Sequence, residues 1–333
     1  MNRLESSWYR RSPWLIVLIP ASLLYYGLGR LRRLLYRAGM LARHRVPVPV
    51  VIVGNLTAGG TGKTPLVTWL VHFLSASGYR PGVIARGYKG RAHHWPQPVR
   101  ADSDPMSVGD EAVLLAGRCG CPVVVGPDRV AAARALLERG GCDLIVADDG
   151  LQHYALDRDI EIVVIDGARR FGNGFCLPAG PLRESTRRLA EVDLVVVNGA
   201  GGPGEYPMTM RAESAISLES GIAPRALAGF ERQSVHAVAG IGNPGRFFAC
   251  LRQAGMRLEE HVFPDHHVYV AADLDFGDDR PVVMTEKDAV KCRNFGIRNS
   301  WYIPVRIEMP AEFGARLHEL LDKGGCAVAA GAS

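Results

Sequence analysis

Acidic residues are nearly missing from the first third of this 333-residue chain: Glu5 is the only one before Asp102, against fifteen lysines and arginines in the same stretch. That stretch carries about +14 and the remainder about −9. A field of one sign draws phosphate-bearing partners such as anionic lipid, nucleotide or nucleic acid. Cysteine is sparse and unpatterned. Of seven, only Cys119 and Cys121 are close together, and neither a CxxC pair nor a zinc-ligand spacing occurs. This leaves no framework for a small disulfide-stapled secreted fold and points to reduced cytosolic thiols. Internal repeats and low-complexity tracts are also lacking, which removes solenoids and disordered polymers from consideration. What is present is an ordinary globular composition with 38 glycines, enough for one large α/β unit or two smaller ones.

The basic excess has a neighbour. Trp14 to Gly29 is a sixteen-residue uncharged run, bracketed by Arg10 and Arg11 before it and by Arg30, Arg32, Arg33, Arg37, Arg43 and Arg45 after it. As a helix it reaches about 24 Å, short of the ~30 Å hydrocarbon core, so it spans poorly or lies in the interface. An arginine cluster directly after the run argues against a cleaved signal. The pair Arg10-Arg11 is a weak match to a twin-arginine signal and reads better as interfacial charge. Beyond it, Leu31, Leu34, Leu35, Ala38 and Leu41 share one helical face, and Arg30, Arg33 and Arg37 share another. Such a helix suits an anionic surface; packing on the protein's own core is the other reading. The early charge surrounds an apolar helix rather than stacking aromatics, so no nucleic-acid partner is expected.

From Val46 the pattern changes to short β-branched runs alternating with helical stretches. Strands are expected at 50–53, 82–85, 122–125, 143–147, 161–165 and 193–197, with helices at 65–77, 110–116 and 129–139. That alternation predicts an α/β fold with a mostly parallel sheet and helices on both faces, and the glycine-rich turn after its first strand makes it P-loop NTPase-like. The turn-rich stretch GAGGPGEYP at 199–207 reads as a lobe boundary or hinge. Further strands at 235–239, 281–284 and 301–305, with helices at 244–254 and 311–322, predict a second, smaller α/β lobe. The expected organisation is 1–45 for the membrane-association helices, 46–200 for the nucleotide-binding core and 201–333 for the second lobe.

Between the strand at 50–53 and the helix after it stands Thr57-Ala58-Gly59-Gly60-Thr61-Gly62-Lys63-Thr64, where a P-loop belongs. Its backbone N–H groups would cradle phosphates of ATP, Lys63 would reach the β and γ oxygens, and the Thr64 hydroxyl would bind Mg²⁺. The strict pattern asks for glycine where Thr57 stands, so Gly59 and Gly60 must supply the flexibility. Asp148 and Asp149 end the apolar strand Leu144-Ile145-Val146-Ala147, the place of a Mg²⁺-binding carboxylate; strand-end aspartates also serve as plain helix caps.

The run from Val53 to Pro65 resembles that of the tetraacyldisaccharide 4'-kinases, the lipid A kinases of Gram-negative bacteria. Further pieces stand in that family's order: Arg86-Gly87-Tyr88, Gly109-Asp110-Glu111, Asp128-Arg129, Asp148 through His153, Gly180-Pro181-Leu182-Arg183-Glu184, Phe263-Pro264-Asp265-His266-His267 and Thr285-Glu286-Lys287-Asp288. The resemblance implies ATP-dependent phosphorylation of the 4'-hydroxyl of a tetraacylated glucosamine disaccharide 1-phosphate at the cytoplasmic face of the inner membrane, with no obligate protein partner. By resemblance Asp110 and His266, or His267 in its place, form the base that takes the hydroxyl proton. Glu184 joins Thr64 and Asp148 around Mg²⁺, and Asp149, Tyr88 and Arg129 line the sugar or phosphate site. Thr285 to Asp288 reads as a helix N-cap with first-turn acids.

Two rivals remain. A membrane-targeting P-loop ATPase with no sugar acceptor would carry a lysine just before the paired glycines, where Ala58 stands. Gly240-Ile241-Gly242-Asn243-Pro244-Gly245 matches a dinucleotide-binding turn, but Pro244 fits a tight helix start, so a structural turn is expected.

Overall fold

The computed structural model describes residues 3–10, 12–212 and 214–323; Arg11, half of the arginine pair, lies outside them. The chain begins with α1 (Arg3–Arg10) and a 3-10 segment, Pro13–Leu18, that continues into α2 (Ile19–Arg37). There follow β1 (Val50–Gly54), α3 (Lys63–Ala76), β2 (Pro81–Ala85), β3 (Gln97–Val99), α4 (Pro105–Val108), α5 (Asp110–Cys119), β4 (Val123–Val125), α6 (Arg129–Glu138), β5 (Leu144–Asp148), β6 (Ile160–Asp166), β7 (Leu194–Asn198) and β8 (Tyr206–Ala212). The remaining elements are β9 (Ser214–Ser217), β10 (Arg225–Ala226), β11 (Ser234–Ala239), α7 (Pro244–Gln253), β12 (Arg257–Val262), β13 (Val282–Thr285), α8 (Glu286–Cys292), β14 (Ser300–Ile303), β15 (Val305–Glu308) and α9 (Ala311–Lys323).

All residues of β1, β2, β5 and β6 are buried, which is why these strands read as unbroken apolar runs rather than alternating ones. The two-residue period still sorts their side chains. Val51 and Val53 pack with Leu66, Leu70 and Leu74 of α3 on one face, while Val50 and Ile52 pack with Leu136 of α6 on the other. The first sheet has the order β15-β8-β7-β6-β1-β5-β2-β4-β3; it is parallel from β8 to β4, with β15 and β3 antiparallel at its edges. The P-loop turn leaves the carboxyl end of central β1, flanked by β5 and β6. Ligands of open α/β sheets bind at that end.

The second sheet has the order β10-β9-β14-β13-β11-β12. Its lobe differs from the expected boundaries. Strands β8 and β15 pair with each other and extend the first sheet, and Phe313, Leu317 and Leu321 of α9 pack into the core of that sheet. The chain therefore passes between lobes twice, at 212–214 and 303–305, rather than at 199–207. Pro304 explains why one run from Trp301 to Val305 becomes two strands: it has no N–H for a ladder, and the chain changes sheets there. Strands β3, β9, β10 and β12 escaped the sequence pattern because they are short or edge elements, and β8 because exposed residues interrupt its apolar ones.

The apolar N-terminal run and the arginine-rich stretch are one continuous helical segment, 13–37, with only 11% of its most apolar window buried. It does not pack inside the protein's own core. One face docks on the first lobe through Ser22, whose hydroxyl donates to Cys176 O at 2.6 Å, through Tyr36 against Tyr154, and through ion pairs of Arg33 and Arg37 with Glu191. The other face leaves Leu23, Leu24, Leu28, Leu31 and Leu34 exposed.

Candidate active site

The turn is held from behind by two asparagines. Asn55, fully buried, donates from Nδ2 to Thr57 O at 2.7 Å and Gly59 O at 3.2 Å, and Asn198 at the end of β7 donates to Thr61 O at 3.1 Å. The segment before Arg183 completes the frame, with Ala58 N donating to Pro181 O at 2.7 Å and Arg183 N to Leu56 O at 2.6 Å. Gly62 has φ +96°, and a Cβ there would lie 2.6 Å from Met210 Cε and 2.8 Å from Asn198 Nδ2, so only glycine fits. At Gly59 (φ +101°) and Gly60 a Cβ would meet nothing within 4 Å; this is the open side of the turn. Thr57 is buried and is not among the residues with positive φ. The position therefore does not need glycine, which accounts for the departure from the strict pattern.

Asp148 ends β5 beside Val53 of β1. Burial pushes its carboxyl up to about 7, against the pull of Lys63, and Glu111 and Asp149 add to the rise. Its Oδ1 is buried without a hydrogen-bond partner in the protein. An orphaned carboxylate oxygen at the end of β5, together with the hydroxyl of Thr64 in the first turn of α3, offers oxygen donors of the kind that a hard divalent cation such as Mg²⁺ takes. Glu184, the third expected ligand, has a carboxylate that accepts from Gln152 Nε2 at 3.2 Å and from the Tyr154 hydroxyl.

Asp149 adopts φ +52°, which turns its side chain out of the strand direction toward the P-loop lysine; Asp tolerates this region better than most residues. Lys63 Nζ lies 3.4 Å from its Oδ1, and Arg183 Nη1 donates to both oxygens at 3.0 Å. Burial alone would raise its carboxyl, but these two cations outweigh it and hold the group well below the usual range. Arg129 is buried and occupied with backbone: it donates to Gly126 O at 2.9 Å and Asp149 O at 3.2 Å. It meets the site through the carbonyl of Asp149, not as an open lining cation.

The second lobe brings the histidine. His266, with φ +60° in the loop after β12, places Nδ1 3.0 Å from both carboxylate oxygens of Asp110, the first residue of α5. Sequence distance hid this, because 156 residues separate the two. Burial would raise Asp110, but the hydrogen bond from His266 and the charge of Lys287 outweigh it and hold the carboxyl at about 2. Tyr88 stands edge-on to the His266 ring, centroids 5.1 Å apart. His267 is drawn away: its Nε2 pairs with Asp273 Oδ2 at 3.0 Å.

Lys287 escaped the sequence reading. Thr285 does cap α8, its Oγ1 accepting from Asp288 N at 3.2 Å, but Lys287 Nζ reaches across the lobes to Glu111 at 3.0 Å and, within its own lobe, meets Asp265 at 3.1 Å and His266 Nε2 at 3.3 Å. A lysine in a first helical turn, between the capping threonine and an acid, was the signal available. The glycine turn at 240–245 behaves as a structural turn. Gly240 N donates to Asp288 at 2.9 Å, and a Cβ at Gly242 would sit 3.4 Å from Gly60 N, so this turn abuts the P-loop. Arg169 Nη2 donates to Gly242 O at 3.1 Å and holds the two lobes together there.

A family model for tetraacyldisaccharide-1-P 4'-kinase (LpxK) matches residues 14–322. The chain is 54% identical over 316 residues to the tetraacyldisaccharide 4'-kinase of Nitrosococcus oceani, covering 95% of this chain and 93% of that one. It is 52% identical over 343 residues to that of Alkalilimnicola ehrlichii, covering 97% and 100%. It is also similar to the crystal structure of "apo"-form LpxK from Aquifex aeolicus in complex with ATP, with a TM-score of 0.77 and 27% identity over 92% of this chain and 99% of that one. The match runs through the exposed helix, the P-loop, the paired aspartates and the histidine loop alike: the chain belongs to the tetraacyldisaccharide-1-P 4'-kinase family.

Proposed function

We infer that this chain transfers the γ-phosphoryl group of ATP to the 4'-hydroxyl of a tetraacylated glucosamine disaccharide 1-phosphate, a step of lipid A biosynthesis. The observation that carries the mechanism is the Asp110–His266 pair, formed between a helix of the nucleotide lobe and a loop of the second lobe, whose neighbouring Gly242 turn abuts the P-loop.

Lys63 and the N–H groups of the turn neutralise the transferring phosphoryl, and Asn55 and Asn198 keep those N–H groups aimed outward by occupying the carbonyls behind them. Thr64, Asp148 and Glu184 would hold Mg²⁺, which would supply positive charge to neutralise the phosphates. His266 Nε2 takes the proton of the attacking hydroxyl while Asp110 fixes the proton on Nδ1 and stabilises the imidazolium that forms. Lys287, the neighbour of Nε2 in the free protein, stays on Glu111 and Asp265 when the hydroxyl takes its place. Asp149, positioned by Arg129 and Arg183, spaces Lys63, and Tyr88 borders His266 on the acceptor side.

The acceptor's acyl chains require contact with a bilayer. The exposed leucines of α2 supply an apolar face, and the groove between α2 and the segment after Arg183, lined by Tyr25, Tyr26, Arg30, Arg33, Arg183 and Arg187, suits a phosphorylated sugar head. Both features support membrane association, and the use of ATP adds support for the cytoplasmic face of the inner membrane. Leu23, Leu24 and Leu28 are 62%, 64% and 59% exposed; at about 1 kcal/mol each, their combined replacement by serine should weaken sedimentation with anionic vesicles on the order of 10²-fold. Unchanged sedimentation would remove the helix from the membrane contact. The function itself is tested by a transfer assay with labelled ATP and a panel of acylated disaccharide 1-phosphates. No label on any acceptor, with rapid ATP hydrolysis in its absence, would favour the membrane ATPase instead.

A further inference from the structure

Away from the kinase site, three side chains converge on one face of the second sheet. Parallel pairing of β11 with β12 sets His236 opposite Glu259, and the two-residue period of a strand returns His261 to the same face. His236 Nδ1 lies 3.0 Å from His261 Nε2 and 3.9 Å from Glu259 Oε2, and His261 Nε2 lies 3.9 Å from Glu259 Oε1. Ligand atoms bound at about 2.0–2.2 Å around a tetrahedral zinc ion stand roughly 3.3–3.5 Å apart. The two nitrogens stand a little inside that spacing, the 3.9 Å gaps run to different oxygens of Glu259, and one ligand atom from each residue lies within 4.8 Å of the other two, so closing on an ion needs a rotamer change of the Glu259 carboxylate and no movement of the strands.

The surroundings are those of a metal site rather than of an incidental histidine pair. His236 is 1% exposed, and its far nitrogen, Nε2, faces Asp278 at 3.1 and 3.3 Å. An aspartate there keeps the proton on Nε2 and leaves the Nδ1 lone pair aimed at His261 and Glu259, the outer support that zinc-binding histidines need. Phe276 stacks on both imidazoles, centroids 4.1 and 4.0 Å away, and fixes the ring planes. Arg280 donates to Glu259 Oε2 at 2.8 Å and to Asp278 Oδ2 at 2.7 Å, leaving Glu259 Oε1 for a ligand. Two carboxylates and one guanidinium leave the cluster with one net negative charge, which attracts a divalent cation.

We propose that His236, Glu259 and His261 form a zinc site, with solvent as the fourth ligand, on the outer strand pair of the second lobe. The site ties β12 to β11. Since β12 ends at Val262, four residues before His266, it steadies the strand that feeds the histidine loop without touching the kinase centre.

The test uses the full chain, stripped with a chelator and titrated with Zn²⁺ by calorimetry, and with Co²⁺ to read the visible absorption of a tetrahedral ion. One Zn²⁺ per chain and a tetrahedral cobalt spectrum are expected. His261→Ala, at a partly exposed position, should remove the spectrum and weaken Zn²⁺ binding more than tenfold; Asp278→Asn should weaken it about 10–100-fold; Asp110→Ala should bind as the parent does. Circular dichroism checks that each variant is folded, and the partial loss in Asp278→Asn keeps the test decisive if His261→Ala does not fold. No stoichiometric Zn²⁺, parental affinity in both His261→Ala and Asp278→Asn, or loss of the ion in Asp110→Ala would each overturn the assignment.

Discussion

Lys63→Ala should lower the rate of phosphoryl transfer by at least about 10²–10³-fold, the usual cost of removing one preorganised charge from a developing phosphate transition state. Lys63 opens α3 directly after the turn, and its Nζ is the partner of Asp149 Oδ1 at 3.4 Å. Its removal leaves the Asp149 carboxylate paired with Arg183 alone and deprives Asp148 of the largest charge that opposes its burial. ATP affinity should fall as well, because the backbone cradle remains but its counter-charge does not. The fold should persist, since the turn is secured by Asn55, Asn198 and Pro181 rather than by the lysine. Steady-state kinetics with an acylated disaccharide acceptor, beside a circular dichroism spectrum, checks both parts. Near-parental turnover would remove Lys63 from the mechanism.

The second large effect concerns the acceptor. Asp110→Asn should lower kcat by about 10²–10⁴-fold with little change in the KM for ATP, because it withdraws the partner that orients His266 and balances the imidazolium, while leaving the P-loop intact. His266→Ala should cost a similar factor, and the double variant little more than either single one, since the two act as a unit. Additive losses would separate them. A pH prediction follows from the same pair. The carboxyl of Asp110 is held at about 2 in the folded protein, below its unfolded value near 3.9. Its pairing therefore contributes stability, roughly 2 kcal/mol, that is present above about pH 4 and is lost as pH falls toward 2. In Asp110→Asn the acid-side fall of the denaturation midpoint should be correspondingly shallower; an unchanged acid limb would show that the pair does not couple to folding.

Much of the molecule was legible before any coordinates. The central strands β1, β2, β5 and β6 announced themselves because burial on both faces demands unbroken apolar residues. The P-loop was readable because its chemistry is local: eight consecutive residues carry the turn, the lysine and the hydroxyl. The paired aspartates were readable for the same reason, standing at the end of an apolar strand. β8 and the edge strand β12 were not, because they present exposed, polar side chains that differ little from a loop. Gly199 to Pro207 looks like a linker because it is rich in turn formers, whereas in the structure it joins β7 to β8 within the first sheet, and the change of sheet after β14 is marked only by Pro304.

At the site itself, residue types and their local order were set by sequence: which lysine meets phosphate, which aspartates stand beside it, which histidines are available. Tertiary structure alone decided the partnerships. It joined Asp110 to His266 rather than His267, spent Arg129 on backbone carbonyls, seated Glu184 against Tyr154, and swung Lys287 across the lobes. The physical reason is range. Helix caps, strand periodicity and a phosphate turn are determined by neighbours within a few residues, but a proton relay and an ion pair depend on separations of a few ångströms between segments far apart in the chain. Only the packing of one sheet's helices against the other's loops fixes those separations.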